Sequence, residues 1–344
     1  MKTPSSICLV RLSALGDVVL ALPLVQTLRR AFPAAQITWV TSPESAALLR
    51  GLAGVNFLVV PKPRGLRDYA RFRRRVAGEK FDVVLAAQAS HRANVLQALI
   101  PARRRIGFDQ ERARDFHDWF VREHVRPRKE HLLEGFLAFA EALGIPPEQH
   151  VIEWPLVLDE APPELPVKPF VAIHLAASKP ERNWRLERHA AVSRQIVNEL
   201  GLGVVLTGSP SETEREMANE VTKQAGVSIT NLVGRTTPKQ LALVLRNARA
   251  VISPDTAAVH LARAVGTPIV GLYAVARPEM TGPYRALDFC VNAFPTAVRK
   301  ILGKDPETCA WNTRVPFLEA MDLIGVDEVI DQLHRALAAH RTAP

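Results

Sequence analysis

The chain has 344 residues, 47% of them hydrophobic and 23% charged, which suits two ordinary globular domains and excludes a disordered or fibrous chain. Three widely spaced cysteines, Cys8, Cys290 and Cys309, fit neither a disulfide framework nor a zinc site, so a reducing cytoplasm and no zinc are expected. No apolar run approaches the roughly 20 residues that span a bilayer, and the net charge of +9, with basic residues concentrated in the first half, calls for an anionic partner.

The opening residues run straight into an apolar segment carrying Arg11 and Asp17, which reads as the first strand of a fold and not as a signal peptide. Short β-rich runs at 7–12, 37–41, 57–60 and 83–87 alternate with amphipathic stretches, the pattern of βαβ units around a parallel sheet. Between the first two, Val18, Leu22, Val25 and Leu28 recur at helical spacing, so 17–31 reads as one helix burying a single stripe. A further helix is expected near 131–143. The segment 154–169 holds five prolines without periodicity and reads as a linker.

After it the alternation restarts, with strands at 170–175, 203–207, 250–253 and 268–273. Helices are expected at 188–200, 211–224, 238–247 and 256–265. The domain plan is therefore 1–155, a linker at 156–168, a second domain at 169–325 and a last helix within 326–344, placed on the second domain or back on the first. Two Rossmann-like, doubly wound α/β halves facing an interdomain cleft would bind ligands in the loops after their strands.

Four such loops carry chemistry. In Arg11-Leu12-Ser13-Ala14-Leu15-Gly16-Asp17, Gly16 permits a tight turn, and Asp17 suits either a helix cap or a general base for a sugar hydroxyl. Ser253 to His260, with Asp255, Thr256, Ala257 and Ala258, turns from a strand into a helix whose first amides could hold a diphosphate; a well-capped helix with His260 in the core explains the same residues. Ser178, Lys179 and Arg182 offer a hydroxyl and two cations to a leaving diphosphate, unless they form a solvated loop. In Thr207 to Glu212, Glu212 either accepts from ribose hydroxyls or simply occupies a first helical turn.

Absences narrow the choice. There is no Asp-x-Asp to chelate a metal-bound sugar nucleotide, no Gly-x-Gly-x-x-Gly after a strand, no P-loop and no Gly-x-Ser-x-Gly elbow. Metal and cofactor are accordingly expected to be none. Arginines and lysines cluster at 62–75, at Arg92, at 103–105 and at 112–129; a solvated face is the usual reading, and phosphate or carboxylate binding the functional one. The nearby aromatics form no regular stacking platform, so no nucleic acid is expected.

Together these loops resemble the ADP-heptose lipopolysaccharide heptosyltransferases of glycosyltransferase family nine. The matching stretches are Ser13-Ala14-Leu15-Gly16-Asp17-Val18 with Leu22-Pro23, Asp82-Val83-Val84 with Gln88, Arg182-Asn183-Trp184, and Gly208-Ser209-Pro210 with Glu212. They continue with Asp255 through Ala262, Gly266-Thr267-Pro268 and Thr281-Gly282-Pro283-Tyr284, in the family's order. The resemblance implies a GT-B fold with the acceptor on the N-terminal domain and the nucleotide sugar on the C-terminal one. It implies inverting transfer with Asp17 as the catalytic aspartate, and a donor site of Ser178, Lys179, Arg182, Glu212, Asp255, Thr256, Ala257, Ala258 and His260. Arg182 stands where family members commonly have lysine, and Ala258 where many have glycine; Glu214 could replace Glu212 by a two-residue shift.

The same resemblance implies an ADP-heptose donor and a Kdo-lipid A acceptor, whose carboxylates and phosphates match the basic N-terminal half, at the anionic cytoplasmic face of the inner membrane. Ser13, Gly16, Arg64, Arg67, Arg92 and Arg114 are the acceptor candidates. The basic density and the segment from Gln88 to Arg92 resemble the enzyme adding the first heptose. Second-heptose transfer and another nucleotide sugar remain as alternatives, as does a basic binding protein without catalysis.

Overall fold

A computed structural model of the chain describes residues 3–110, 112–113 and 115–342. Its contacts divide the chain into two compact units, Met1–Val157 and Leu158–Pro344.

In the first unit, strands β1 (Ser6–Val10), β2 (Gln36–Thr41), β3 (Asn56–Val59), β4 (Phe81–Ala86), β5 (Ala102–Gly107) and β6 (Glu123–His124) form one parallel sheet, ordered β3-β2-β1-β4-β5-β6. Its centre is set by apolar runs, since a parallel strand covered on both faces has no polar side to show. Ile7 sits opposite Ile37 on β2 and Val83 on β4, and Ile7, Cys8, Leu9 and Val10 are fully buried. Burial also pushes the Cys8 thiol far above its usual range, making it an inert core residue.

The expected helix at 17–31 is two helices, Leu15–Leu20 and Leu22–Ala31, which join at Ala21. Pro23 stands in the first turn of the second helix, where its missing N–H costs no hydrogen bond. A single 3.6-residue stripe across both hides the junction from a periodicity argument. Gly16 lies buried within the first turn of Leu15–Leu20, so the tight turn expected of it is instead ordinary helix.

Strand β5 reads Ala-Arg-Arg-Arg-Ile-Gly and was hidden by its charge. Much of that charge is already committed. Arg104 makes a two-pronged pair with Glu123 at 2.9 and 2.7 Å, Arg103 lies 3.5 Å from Asp82, and Arg105 donates to the Ile100 carbonyl at 2.7 Å. Beyond the sheet, Arg128 pairs with Glu141 and Arg112 with Asp109. A good part of the basic surplus therefore braces this unit.

The second unit repeats the plan. Strands β7 (Phe170–His174), β8 (Gly203–Thr207), β9 (Thr230–Asn231), β10 (Ala250–Pro254), β11 (Ile269–Tyr273) and β12 (Val291–Asn292) are ordered β12-β11-β10-β7-β8-β9. Numbered within its own unit, each sheet runs 3-2-1-4-5-6, the order of a doubly wound sheet that reverses beside its first strand. The helix Pro238–Asn247 starts with a capping box between Thr237 and Gln240.

The proline-dense segment is tied down near its middle. Asp159 pairs at 2.6 Å with Lys239, which is 1% exposed, and the Ala161 carbonyl accepts from Gln240. The last helix, Val326–Thr342, packs on β10, β11 and β12 and on the helix Leu186–Asn198.

Candidate functional site

In the first unit the sheet reverses between β1 and β4, so the loops leaving those two strands share one edge. Four residues after β1, the helix Leu15–Leu20 begins, with Asp17 in its first turn. The Asp17 carboxylate accepts from the Ala14 N–H at 3.3 Å and forms an ion pair with Arg11; both contacts fall on Oδ2. Arg11 is itself anchored by donating to the Ala87 carbonyl at 2.8 Å, with its guanidinium 5.3 Å from the Phe136 ring centre. Asp17 is thus a cap and an oriented, charge-compensated carboxylate at once.

The loop after β4 holds the loop after β1. Gln88 Oε1 accepts from the Leu12 N–H at 2.8 Å and the Ser13 N–H at 3.3 Å, while its amide nitrogen donates to Ser90. Arg92 reaches the Ser13 hydroxyl at 3.4 Å. Ser13, Arg92 and Asp17 are therefore brought together, and sequence spacing had no way to reveal Arg11 as the partner of Asp17. Arg64 stands exposed on the separate loop after β3, and Arg67 is exposed in the first turn of the helix Leu66–Val76 that follows it. Arg114 lies outside the described residues.

In the second unit the reversal falls between β7 and β10. From the loop after β7, the guanidinium of Arg182 lies 3.2 Å from the Asp255 carboxylate and 3.2 Å from its main-chain carbonyl. Asp255, 7% exposed, also accepts from the Thr281 hydroxyl at 3.1 Å. The loop is shaped by Asn183, whose side chain accepts from the Ala177 N–H at 2.7 Å, and by Trp184, buried against His189 and donating to the Ile324 carbonyl at 3.0 Å. Ser178 and Lys179 are exposed at its tip.

Helix Ala257–Ala264 follows, with Thr256 as its N-cap: the Thr256 hydroxyl accepts from the Ala258 N–H at 3.1 Å. That amide is consumed within the cap, whereas the Thr256 and Ala257 amides, at the start of the helix, have no partner inside it. Ala258 and His260 are both buried. Tyr273, at the end of β11, is 1% exposed, and burial together with the nearby Asp255 charge pushes its hydroxyl well above the usual phenol range.

Glu212 is exposed in the first turn of the helix Glu212–Ala225. Glu214 instead turns back, accepting from the Ser209 N–H at 2.7 Å and the Ser209 hydroxyl at 2.5 Å. A carboxylate at N3 bonding back over its own cap is a known local preference, and this signal was present in the sequence. Behind the loop, burial lowers His174 to about 4, so it is neutral when it bonds the Thr207 hydroxyl at 3.0 Å.

The sequence profile of glycosyltransferase family 9 (heptosyltransferase) matches residues 69–304. The lipopolysaccharide core heptosyltransferase OpsX of Haemophilus influenzae is 30% identical over 97% of this chain and 97% of its own. Among solved structures, a family 9 glycosyl transferase from Veillonella parvula superposes with a TM-score of 0.78 at 20% identity, covering 98% of this chain and 99% of that one. The E. coli ADP-heptose lps heptosyltransferase II superposes with a TM-score of 0.70 at 20% identity, over 98% and 100%. The fold is that of the GT-B glycosyltransferases.

Proposed function

The chain belongs to glycosyltransferase family 9, and from that premise we propose that it transfers heptose from ADP-heptose to the Kdo-lipid A inner core of lipopolysaccharide, by an inverting displacement without a metal. The enzyme is a glycosyltransferase. Its donor and acceptor are read from its relatives' activities together with its own loops.

One observation carries the mechanism. Arg11 and the Ala14 amide both engage Oδ2 of Asp17, which among the described residues leaves Oδ1 for an acceptor hydroxyl. Asp17 takes that proton as the hydroxyl oxygen attacks the anomeric carbon; the bond from that carbon to the β-phosphate oxygen breaks, and ADP leaves with the electron pair. Arg11 fixes the direction of the carboxylate.

The growing diphosphate charge is met by the Thr256 and Ala257 amides, by Lys179 and by Arg182, with Ser178 donating at the same loop. Cations and amides of this kind supply the stabilisation that a chelated metal gives elsewhere, in a sequence lacking Asp-x-Asp. Exposed Glu212 meets the ribose, and Glu214 holds the loop. Asp255, Ala258 and His260 support the donor turn from behind. Ser13, Gly16, Arg92, Arg64, Arg67 and Arg114 serve the anionic acceptor, at the cytoplasmic face of the inner membrane.

Mass spectrometry of ADP-heptose turnover tests this reading, with Kdo-lipid A and heptosylated core as competing acceptors. Heptose addition to Kdo-lipid A, lost by about a thousandfold in Asp17→Asn while ADP binding persists, supports it. Near wild-type turnover by Asp17→Asn would remove Asp17 as the base, and preference for heptosylated core would remove the acceptor.

A further inference from the structure

A cavity of about 840 Å³ opens beside the end of β3, at the start of the helix Leu66–Val76. That volume lies within the range of about 300 to 1,000 Å³ typical of small-molecule sites. Its floor is apolar, with Phe72 4% exposed, Val60 9% exposed, and Val59 half-buried.

Cations ring this floor, and they divide into two kinds. Arg71 is paired with Asp68 at 3.1 Å and Arg75 donates to the Val59 carbonyl at 3.0 Å, so both are occupied. The side chains of Lys62 and Arg64 are exposed and make no bond to any described residue. Two residues beyond Arg64, Leu66 is a large apolar side chain that is 87% exposed.

A site for a bare anion gathers polar donors and needs no apolar floor; a site for a neutral chain needs no unpaired cations. Both are present within one loop. We propose that this cavity binds an anionic amphiphile, with a phosphate or carboxylate head on Lys62 and Arg64 and an acyl chain along Val59, Val60 and Phe72. Given the transferase reading above, on which this last step rests, the lipid portion of the acceptor is the amphiphile that occupies it. The cavity would then hold the acceptor by its lipid end, apart from the hydroxyl presented to Asp17.

Calorimetric titration of the whole protein with dodecyl phosphate, below its micelle concentration, tests the site against inorganic phosphate and dodecyl maltoside. The expected result is one saturable site that prefers dodecyl phosphate to either control by about tenfold or more. The exposed double change Lys62→Glu with Arg64→Glu should weaken it by about tenfold or more. Val59→Trp, filling the cavity, should erase the preference over inorganic phosphate without lowering the melting temperature.

Equal binding of inorganic and dodecyl phosphate, equal binding of the two detergents, or an unchanged titration in the double variant would each overturn the proposal. The titration needs no sugar nucleotide, so its outcome is independent of whether heptose is transferred. For the acceptor step, the double variant should lower kcat/KM for acylated acceptor more than for its deacylated form; equal losses would reject the lipid as the occupant.

Discussion

Arg182 meets Asp255 twice, at 3.2 Å from the carboxylate and at 3.2 Å from the main-chain carbonyl, and so joins the loops that leave β7 and β10. The same Oδ2 of Asp255 is held by Thr281. A cation at that crossing is positioned before any ligand arrives, and preorganised charge of this kind is the most effective stabiliser of a leaving anion.

Arg182→Ala should therefore lower kcat/KM for the nucleotide sugar by about 10- to 100-fold, the range of one charge-assisted contact. The acceptor KM should stay within about twofold. Steady-state kinetics with each substrate varied in turn checks this, and a loss confined to the acceptor side would reject the assignment. Arg182→Lys keeps the charge but not the double contact, and should fall between the two.

Gln88 is a positioning residue, because it fixes the Leu12 and Ser13 amides of the loop that leads to Asp17. Gln88→Leu removes both acceptor bonds and should reduce kcat by about tenfold or more, with donor KM little changed. Gln88→Glu retains an oxygen for both amides and should recover most of kcat. A loss of thermal stability with no change in kcat would mark Gln88 as merely structural.

Gly107 ends β5 where two side chains close over it. A Cβ there would lie 2.6 Å from Val121 Cγ1 and nearer still to His117 Nε2, the atom that accepts from the Phe108 N–H. Gly107→Ala should cost about 1 to 3 kcal/mol through overpacking. Urea unfolding would read this as a lower midpoint at unchanged slope, and a midpoint equal to wild type would contradict the packing.

Burial lowers His117, His174 and His189 to about 4 each. All three are neutral in the folded chain, whereas the unfolded chain takes up their protons near pH 6.5. Their contribution to stability is therefore complete above pH 6.5, is lost as pH falls from 6.5 towards 4, and changes no further below that. Unfolding midpoints measured from pH 7.5 to 4.5 should drop steadily, and His174→Gln should flatten the slope by about one proton's worth. A midpoint that rose on acidification would contradict the burial of these rings.

Much was legible in the chain itself. The apolar runs from Ile7, Phe170 and Ala250 announced central parallel strands, because a strand buried on both faces has no polar alternation to confuse the pattern. The two-residue edge strands β6, β9 and β12 were not legible, being too short for any period to register. Nor was β5, whose arginines find their partners on neighbouring elements.

Local order along the sequence determined the strand and helix alternation, the division near the prolines of 154–169, and the loops that carry Asp17, Arg182 and Asp255. Tertiary structure alone decided which partners those residues have. The bonds between Gln88 and Leu12, and between Arg182 and Asp255, span 76 and 73 positions, and such pairings follow from strand order in a sheet, which no local periodicity encodes. The same holds for Arg11 and Asp17. They are near in sequence, yet their pairing depends on how the turn after β1 is held by the loop after β4.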